Sequence, residues 1–153
     1  MNDILIREAV PADIDTIYGI EQVSFSVAWS RDSFVSAFAS DMTKIYAAEE
    51  NGSVIGFGCI IVFPPDSEIL NIAVLPEYRG QGIGNRLLSA MMHYAGEKEA
   101  DAVYLEVRES NTPARTLYEK SGFLPLGVRK NYYTKPTENA VLMRKTLQSE
   151  TES

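Results

Sequence analysis

At 153 residues, with 45 % apolar and 23 % charged side chains, the chain can form one domain with a true hydrophobic core. Its net charge of −7 argues against direct binding to a nucleic-acid backbone, which calls for clustered Lys and Arg. A single cysteine (Cys59) and a single histidine (His93) exclude an internal disulfide and a multi-histidine metal centre. No run of about 18 apolar residues suggests a membrane span. The start, Met1-Asn2-Asp3-Ile4-Leu5, lacks the basic-then-apolar order of a secretory signal, so a cytoplasmic location is expected.

Ile4-Leu5-Ile6-Arg7 reads as a short first strand. Pro11 suits a first helical position, Asp13 and Asp15 suit a first turn, and Ile14, Ile17, Ile20 and Val23 recur at helical spacing. Residues 24–30 interrupt that helix with Phe25, Val27 and Trp29, after which Ser30 can cap a second helix carrying Phe34, Ala37 and Phe38. The aromatic cluster Phe25, Trp29, Phe34 and Phe38 suits either a core or a substrate groove, since Phe and Trp dominate both. Residues 45–49 and 54–63 read as strands joined by a hairpin turn at Glu50-Asn51-Gly52-Ser53, and Cys59 lies at a core position of the second. Pro64-Pro65-Asp66 turns the chain back into a strand over 68–75, which completes an antiparallel meander.

A long helix is expected over 82–98, with Ile83, Leu87, Leu88, Met91 and Ala95 on one face and His93 at its surface. A strand over 102–107 follows; a helix crossing between two strands of one sheet makes them parallel. Asn111 or Thr112 caps a short helix that has Pro113 near its start and Gly122 at its end. Residues 123–129 and 140–145 read as closing strands, with Asn131-Tyr132-Tyr133 between them. The expected fold class is α/β (α+β), a single mixed, mostly antiparallel sheet of about six to seven strands flanked by about four helices, with a central parallel pair. One domain is expected over residues 1–146, and residues 147–153 read as a frayed, polar, acidic tail.

The stretch Asn71-Ile72-Ala73-Val74-Leu75-Pro76-Glu77-Tyr78-Arg79-Gly80-Gln81-Gly82-Ile83-Gly84 organises the rest. An apolar strand ends at Pro76, which has no N–H for a ladder, and a glycine-rich turn leads into the long helix. Glycine lets the backbone approach a ligand closely, and the first N–H groups of a helix have no internal partners. Such a loop can hold a phosphate or pyrophosphate, with Arg79 at its rim. A P-loop would end Gly-Lys-Ser/Thr, and a dinucleotide fingerprint would read Gly-x-Gly-x-x-Gly; neither fits. The pattern present is Arg-x-x-Gly-x-Gly at Arg79, Gly82 and Gly84, which resembles the pyrophosphate-binding motif of the GNAT (GCN5-related) N-acetyltransferases.

The second half of the chain carries the resemblance further, through Leu105-Glu106-Val107-Arg108-Glu109-Ser110-Asn111 and Leu117-Tyr118-Glu119-Lys120-Ser121-Gly122-Phe123. With residues 25–30, Asn71-Ile72-Ala73-Val74 and Arg129-Lys130-Asn131-Tyr132-Tyr133, the pattern is similar to the bacterial ribosomal-protein alanine N-acetyltransferases, the RimI family. Ala28 stands where that family often has proline before Trp-Ser. The resemblance implies acetyl-CoA as cosubstrate, no metal, and as acceptor the N-terminal alanine of a basic ribosomal protein, the eighteenth of the small subunit. It implies Glu106 as general base and Tyr118 as general acid. It places Ile72, Ala73 and Val74 against the pantetheine arm, and Arg79, Gly80, Gln81, Gly82, Ile83 and Gly84 around the pyrophosphate. Asn111 would contact the cofactor arm, and Trp29, Tyr132 and Tyr133 would wall the peptide groove.

Read without the resemblance, Glu106 is a solvated strand-end carboxylate or an ion-pair partner, for instance of Arg108, and Tyr118 a packing residue. Other acceptors (further protein N-termini, lysine, a small amine) and a non-catalytic acyl-CoA-binding domain are the competing readings, because fold does not fix function.

Overall fold

The computed structural model describes residues 3–147; of the tail expected at 147–153, residues 148–153 lie outside the described residues. Among the described residues the strands are β1 (Ile4–Glu8), β2 (Thr43–Glu50), β3 (Ser53–Phe63), β4 (Asp66–Val74), β5 (Ala102–Arg108), β6 (Leu124–Tyr133) and β7 (Glu138–Thr146). The helices are α1 (Ile14–Ser24), α2 (Arg31–Ala39), α3 (Ile83–Glu97) and α4 (Thr112–Lys120). The strands form one seven-stranded sheet in the order β1-β2-β3-β4-β5-β7-β6. The β1–β2, β2–β3, β5–β7 and β6–β7 pairs are antiparallel, and β4–β5 is the parallel pair expected from the crossover. That parallel ladder pairs Asp66 with Ala102, Ser67 with Val103 and Glu68 with Tyr104.

The described residues divide into two compact units, one of 3–61 with Ile69–Tyr94, the other of Val62–Glu68 with 95–147. In the first, Ile14, Ile17 and Ile20 of α1 and Phe34 of α2 pack with Ile45, Ala47, Phe57 and Cys59 from β2 and β3. Burial pushes the Cys59 thiol up to about 12, as befits a core residue and not a reactive one. The Asn51-Gly52 hairpin forms as expected, with both residues at positive φ (49° and 86°). Ser30 caps α2 by accepting from the Ser33 N–H.

The α1 stripe departs from expectation. Val23 is 66 % exposed, and Glu21 takes the buried position at 1 %. Position 21 lies seven residues, two helical turns, beyond Ile14 and continues its face, whereas position 23 turns away.

In the second unit the core is built from Val103, Leu105 and Val107 of β5, Val141 and Met143 of β7, and Phe123. Gly122 ends α4 as expected, at φ 98°. The Gly122 N–H donates to the Glu119 carbonyl and the Phe123 N–H to the Tyr118 carbonyl, a Schellman closure. Its hydrophobic contact is the edge-on Tyr118–Phe123 pair, with centroids 5.8 Å apart.

Asn131-Tyr132-Tyr133 does not lie between the closing strands but belongs to β6. The ladder breaks its register between Arg129 and Tyr133, with Asn131 at φ 54°, and re-engages where Tyr133 faces Glu138. A bulge of this kind carries extra residues without ending the strand.

At the start of the chain Arg7 binds Asp13 through both terminal nitrogens (2.8 and 3.0 Å) and Glu49 through Nε (2.9 Å). The Arg7 hydrogen bond holds the Asp13 carboxyl below its ordinary 3.8. A lowered folded-state value means stability that is present above 3.8 and lost as pH falls through the folded value. In urea titrations across pH, wild type should therefore exceed Asp13→Asn at neutral pH, and the gap should close as pH drops below about 4.

Candidate active site

The glycine-rich loop is fixed at both ends. Beyond β4, the Leu75 N–H donates to the Ile55 carbonyl (2.9 Å), and Pro76–Tyr78 forms one 3₁₀ turn. The Tyr78 hydroxyl donates to Glu50 Oε1 at 2.8 Å, and Ile83, at the start of α3, is 2 % exposed. Between these anchors Gly80 and Gly82 stand at φ 79° and 80°, backbone that a side chain rarely adopts. Gly84 lies in the first turn of α3, and Gln81 is exposed. The Arg79 Nε donates to the Val74 carbonyl at 3.1 Å, so the side chain lies back on the strand end. On β4 Ala73 is buried, while Ile72 and Val74 are half-buried beside Ile83 and Leu87. The loop therefore presents the unpartnered N–H groups of a 15-residue helix behind two left-handed glycines, an anion-binding arrangement.

The acid–base candidates lie in the other unit. Glu106 of β5 lines a cavity of about 280 Å³ with Asp66, Glu68, Tyr104 and Arg129. Its side chain is 14 % exposed, and Oε2 sits 3.1 Å from Arg129 Nε. That contact is an ion pair without hydrogen-bond geometry, and Oε2 is otherwise buried and unbonded. Arg108 is not the partner: it donates to the Thr134 and Pro136 carbonyls (2.7 and 2.9 Å) and pairs with Glu138 at 3.3 Å. Those acceptors beyond the β6 bulge draw it away from Glu106, and its guanidinium stacks 4.6 Å from the Tyr133 ring.

Glu68 was not anticipated. Burial, and then the charge of Glu106, push its carboxyl above the ordinary 4.5, with Arg129 opposing. The signal for it was faint, a carboxylate inside an otherwise apolar strand; only the parallel register sets Glu68 opposite Tyr104. Among the described residues, no group of three or more His, Cys, Asp or Glu side chains is placed to hold a metal ion.

Tyr118 is 5 % exposed on α4, and burial raises its phenol above the ordinary 10, so the hydroxyl keeps its proton at neutral pH. Tyr132 and Tyr133 meet edge to face at 5.1 Å. Tyr132 is exposed, with Arg129 over its ring at 5.7 Å, whereas the Tyr133 phenol is pushed up to about 12 by burial and then by Glu106. Asn111 caps α4 by accepting from the Ala114 N–H at 3.2 Å, which engages its Oδ1.

The aromatic cluster splits between core and surface. Phe34 is fully buried, Trp29 and Phe38 are partly buried against the core, and Phe25 is 38 % exposed. Trp29 packs on Phe34 at 5.2 Å, and its backbone N–H donates to Oε2 of the buried Glu21 at 2.8 Å.

The sequence profile of the Acetyltransferase (GNAT) family matches residues 14–123. The chain is 42 % identical over 143 residues to a Bacillus subtilis protein provisionally named ribosomal protein bS18-alanine N-acetyltransferase, covering 93 % of this chain and 95 % of that one. It is 38 % identical over 142 residues to the Haemophilus influenzae ribosomal protein bS18-alanine N-acetyltransferase, covering 91 % and 96 %. The crystal structure of the ribosomal-protein-S18-alanine N-acetyltransferase from Escherichia coli superposes with a TM-score of 0.88 at 30 % identity, over 99 % of both chains. With a parallel β4–β5 pair in a seven-stranded sheet, a glycine-rich loop opening α3 and this sequence similarity, the chain belongs to the GNAT family of acetyltransferases.

Proposed function

We propose that this chain transfers the acetyl group of acetyl-CoA to the N-terminal alanine α-amine of ribosomal protein bS18. The observation that carries the acceptor is the similarity, nearly end to end, to proteins named for that reaction. The donor reading rests on the loop: two left-handed glycines ahead of a helix N-terminus suit a pyrophosphate, with residues 79–84 around it. The β4–β5 ladder stops at Glu68, which supports backbone pairing of Ile72, Ala73 and Val74 with the pantetheine arm in the manner of an added strand. Asn111, its Oδ1 engaged in the cap, retains its Nδ2 for the cofactor arm.

In this reading the amine attacks the thioester carbonyl directly, and no protein nucleophile takes part. A peptide α-amine has a pKa of about 8, so a minor neutral fraction exists near pH 7, and Glu106 accepts the proton released as the C–N bond forms. A strand N–H near Val74 supplies a donor for the tetrahedral oxyanion. As the C–S bond breaks, Tyr118, protonated in its buried setting, gives its proton to the leaving thiolate. By the family resemblance, Trp29, Tyr132 and Tyr133 are the candidate acceptor-binding residues.

Intact-mass analysis after incubation with acetyl-CoA tests the acceptor. Two peptides copy the bS18 N-terminus, one with free alanine and one blocked there but carrying lysines. Acetylation of the free peptide alone supports the proposal; acetylation of the blocked one moves the chemistry to lysine. For the donor site, Gly82→Val forces a β-branched residue to φ 80° and should weaken acetyl-CoA binding about tenfold or more by calorimetry.

A further inference from the structure

We propose that Glu21 is a positioning residue for the acceptor: its buried carboxylate clamps the 25–30 loop, and with it Trp29, to strand β4. The proposal rests on the reading of Trp29 as a wall of the acceptor groove. Glu21 is 1 % exposed, on a helix face otherwise occupied by Ile14, Ile17 and Ile20. Its two oxygens serve two different elements. Oε2 accepts from the Trp29 backbone N–H at 2.8 Å, and Oε1 accepts from Asn71 Nδ2 on β4 at 2.9 Å. Neither partner is a cation, so the burial is not repaid by an ion pair, and a group this costly to bury is poorly suited to packing alone.

Two of the loop's apolar side chains face solvent and not the core. Val23, Phe25 and Val27 are exposed at 66 %, 38 % and 58 %, and Gln22 Nε2 reaches the Trp29 carbonyl only at 3.4 Å. Trp29 is thus located by its ring on Phe34 and by its N–H on Glu21. Asn71 immediately precedes Ile72, Ala73 and Val74, so one side chain ties the proposed acceptor loop to the proposed donor strand.

The chemistry of the clamp selects a carboxylate. Both groups facing it are N–H donors, and only a carboxylate offers two acceptors in one plane. In Glu21→Gln an NH₂ must face one of those donors, so at least one tie is lost with little change of volume.

Trp29 is the chain's one tryptophan, so its fluorescence reports the loop directly. Folded Glu21→Gln, checked by far-UV circular dichroism, should show red-shifted emission and stronger acrylamide quenching. Its KM for the free-alanine bS18 peptide should rise about tenfold, while the KM for acetyl-CoA stays within about twofold. Adding Glu21→Gln to Trp29→Ala should then cost no further acceptor affinity. Unchanged emission and peptide KM in folded Glu21→Gln, beside a raised KM in Trp29→Ala, would overturn the clamp and leave the groove reading intact. An unchanged peptide KM in Trp29→Ala overturns both. Should Glu21→Gln not fold, Asn71→Ala deletes the strand side of the clamp, and unchanged Trp29 emission there also overturns the proposal.

Discussion

Replacing Glu106 by glutamine should lower turnover of the bS18 peptide about 10²- to 10⁴-fold, the range of a lost general base, while acetyl-CoA affinity stays within about twofold. The substitution keeps size and shape but removes the group that, in the proposed mechanism, accepts the amine proton. Glu106 lies in a small cavity with Glu68 and Arg129, and its Oε2 is buried 3.1 Å from the Arg129 Nε. If the residue served only as the ion-pair partner of Arg129, Glu106→Gln would alter folding stability and leave turnover by the folded protein nearly unchanged. Steady-state kinetics on the free-alanine peptide together with calorimetry of acetyl-CoA binding separates these outcomes. Turnover reduced less than about tenfold would remove Glu106 from the role of base.

Truncating Phe34 to alanine should cost about 3–5 kcal/mol of folding stability. Phe34 is fully buried, with its ring edge-on to Phe57 at 5.6 Å and tilted against Trp29 at 5.2 Å. No polar atom is lost; the expected cost is the transfer of the ring plus the cavity left between α2 and β3. Against a total of about 5–15 kcal/mol this is a large fraction, and it should appear in urea as a lower midpoint at nearly unchanged slope. Phe34→Leu, which fills most of the space, should cost markedly less. Because Trp29 rests on the same ring, Phe34→Ala should also loosen the 25–30 loop under conditions where the protein remains folded.

The element order was legible because its signals are local. Pro76, the Asn51-Gly52 turn and Gly122 lie within a few residues of the structure they direct, and each formed where its chemistry pointed. The glycine-rich loop was legible for the same reason: strand end, turn and helix start are consecutive in the chain. Boundaries that depend on pairing were less so. The extension of β6 through Tyr133 requires a bulge that only the facing β7 residues reveal.

The sequence by itself determined the fold class and the identity of the loop that suits a pyrophosphate, since periodicity and backbone freedom belong to short stretches. It also singled out Glu106 and Tyr118, through a family pattern and not through any property of those residues alone. Only the tertiary structure decided which side chains meet. Glu106 faces Arg129 and not Arg108, Glu68 shares its cavity, and Glu21 reaches Asn71 across 50 residues of chain. Those encounters follow from strand register and helix rotation, where a shift of one or two positions exchanges buried and exposed faces. A buried carboxylate at position 21 in place of an apolar residue at position 23 is the clearest case, because the two lie about 200° apart around the same helix.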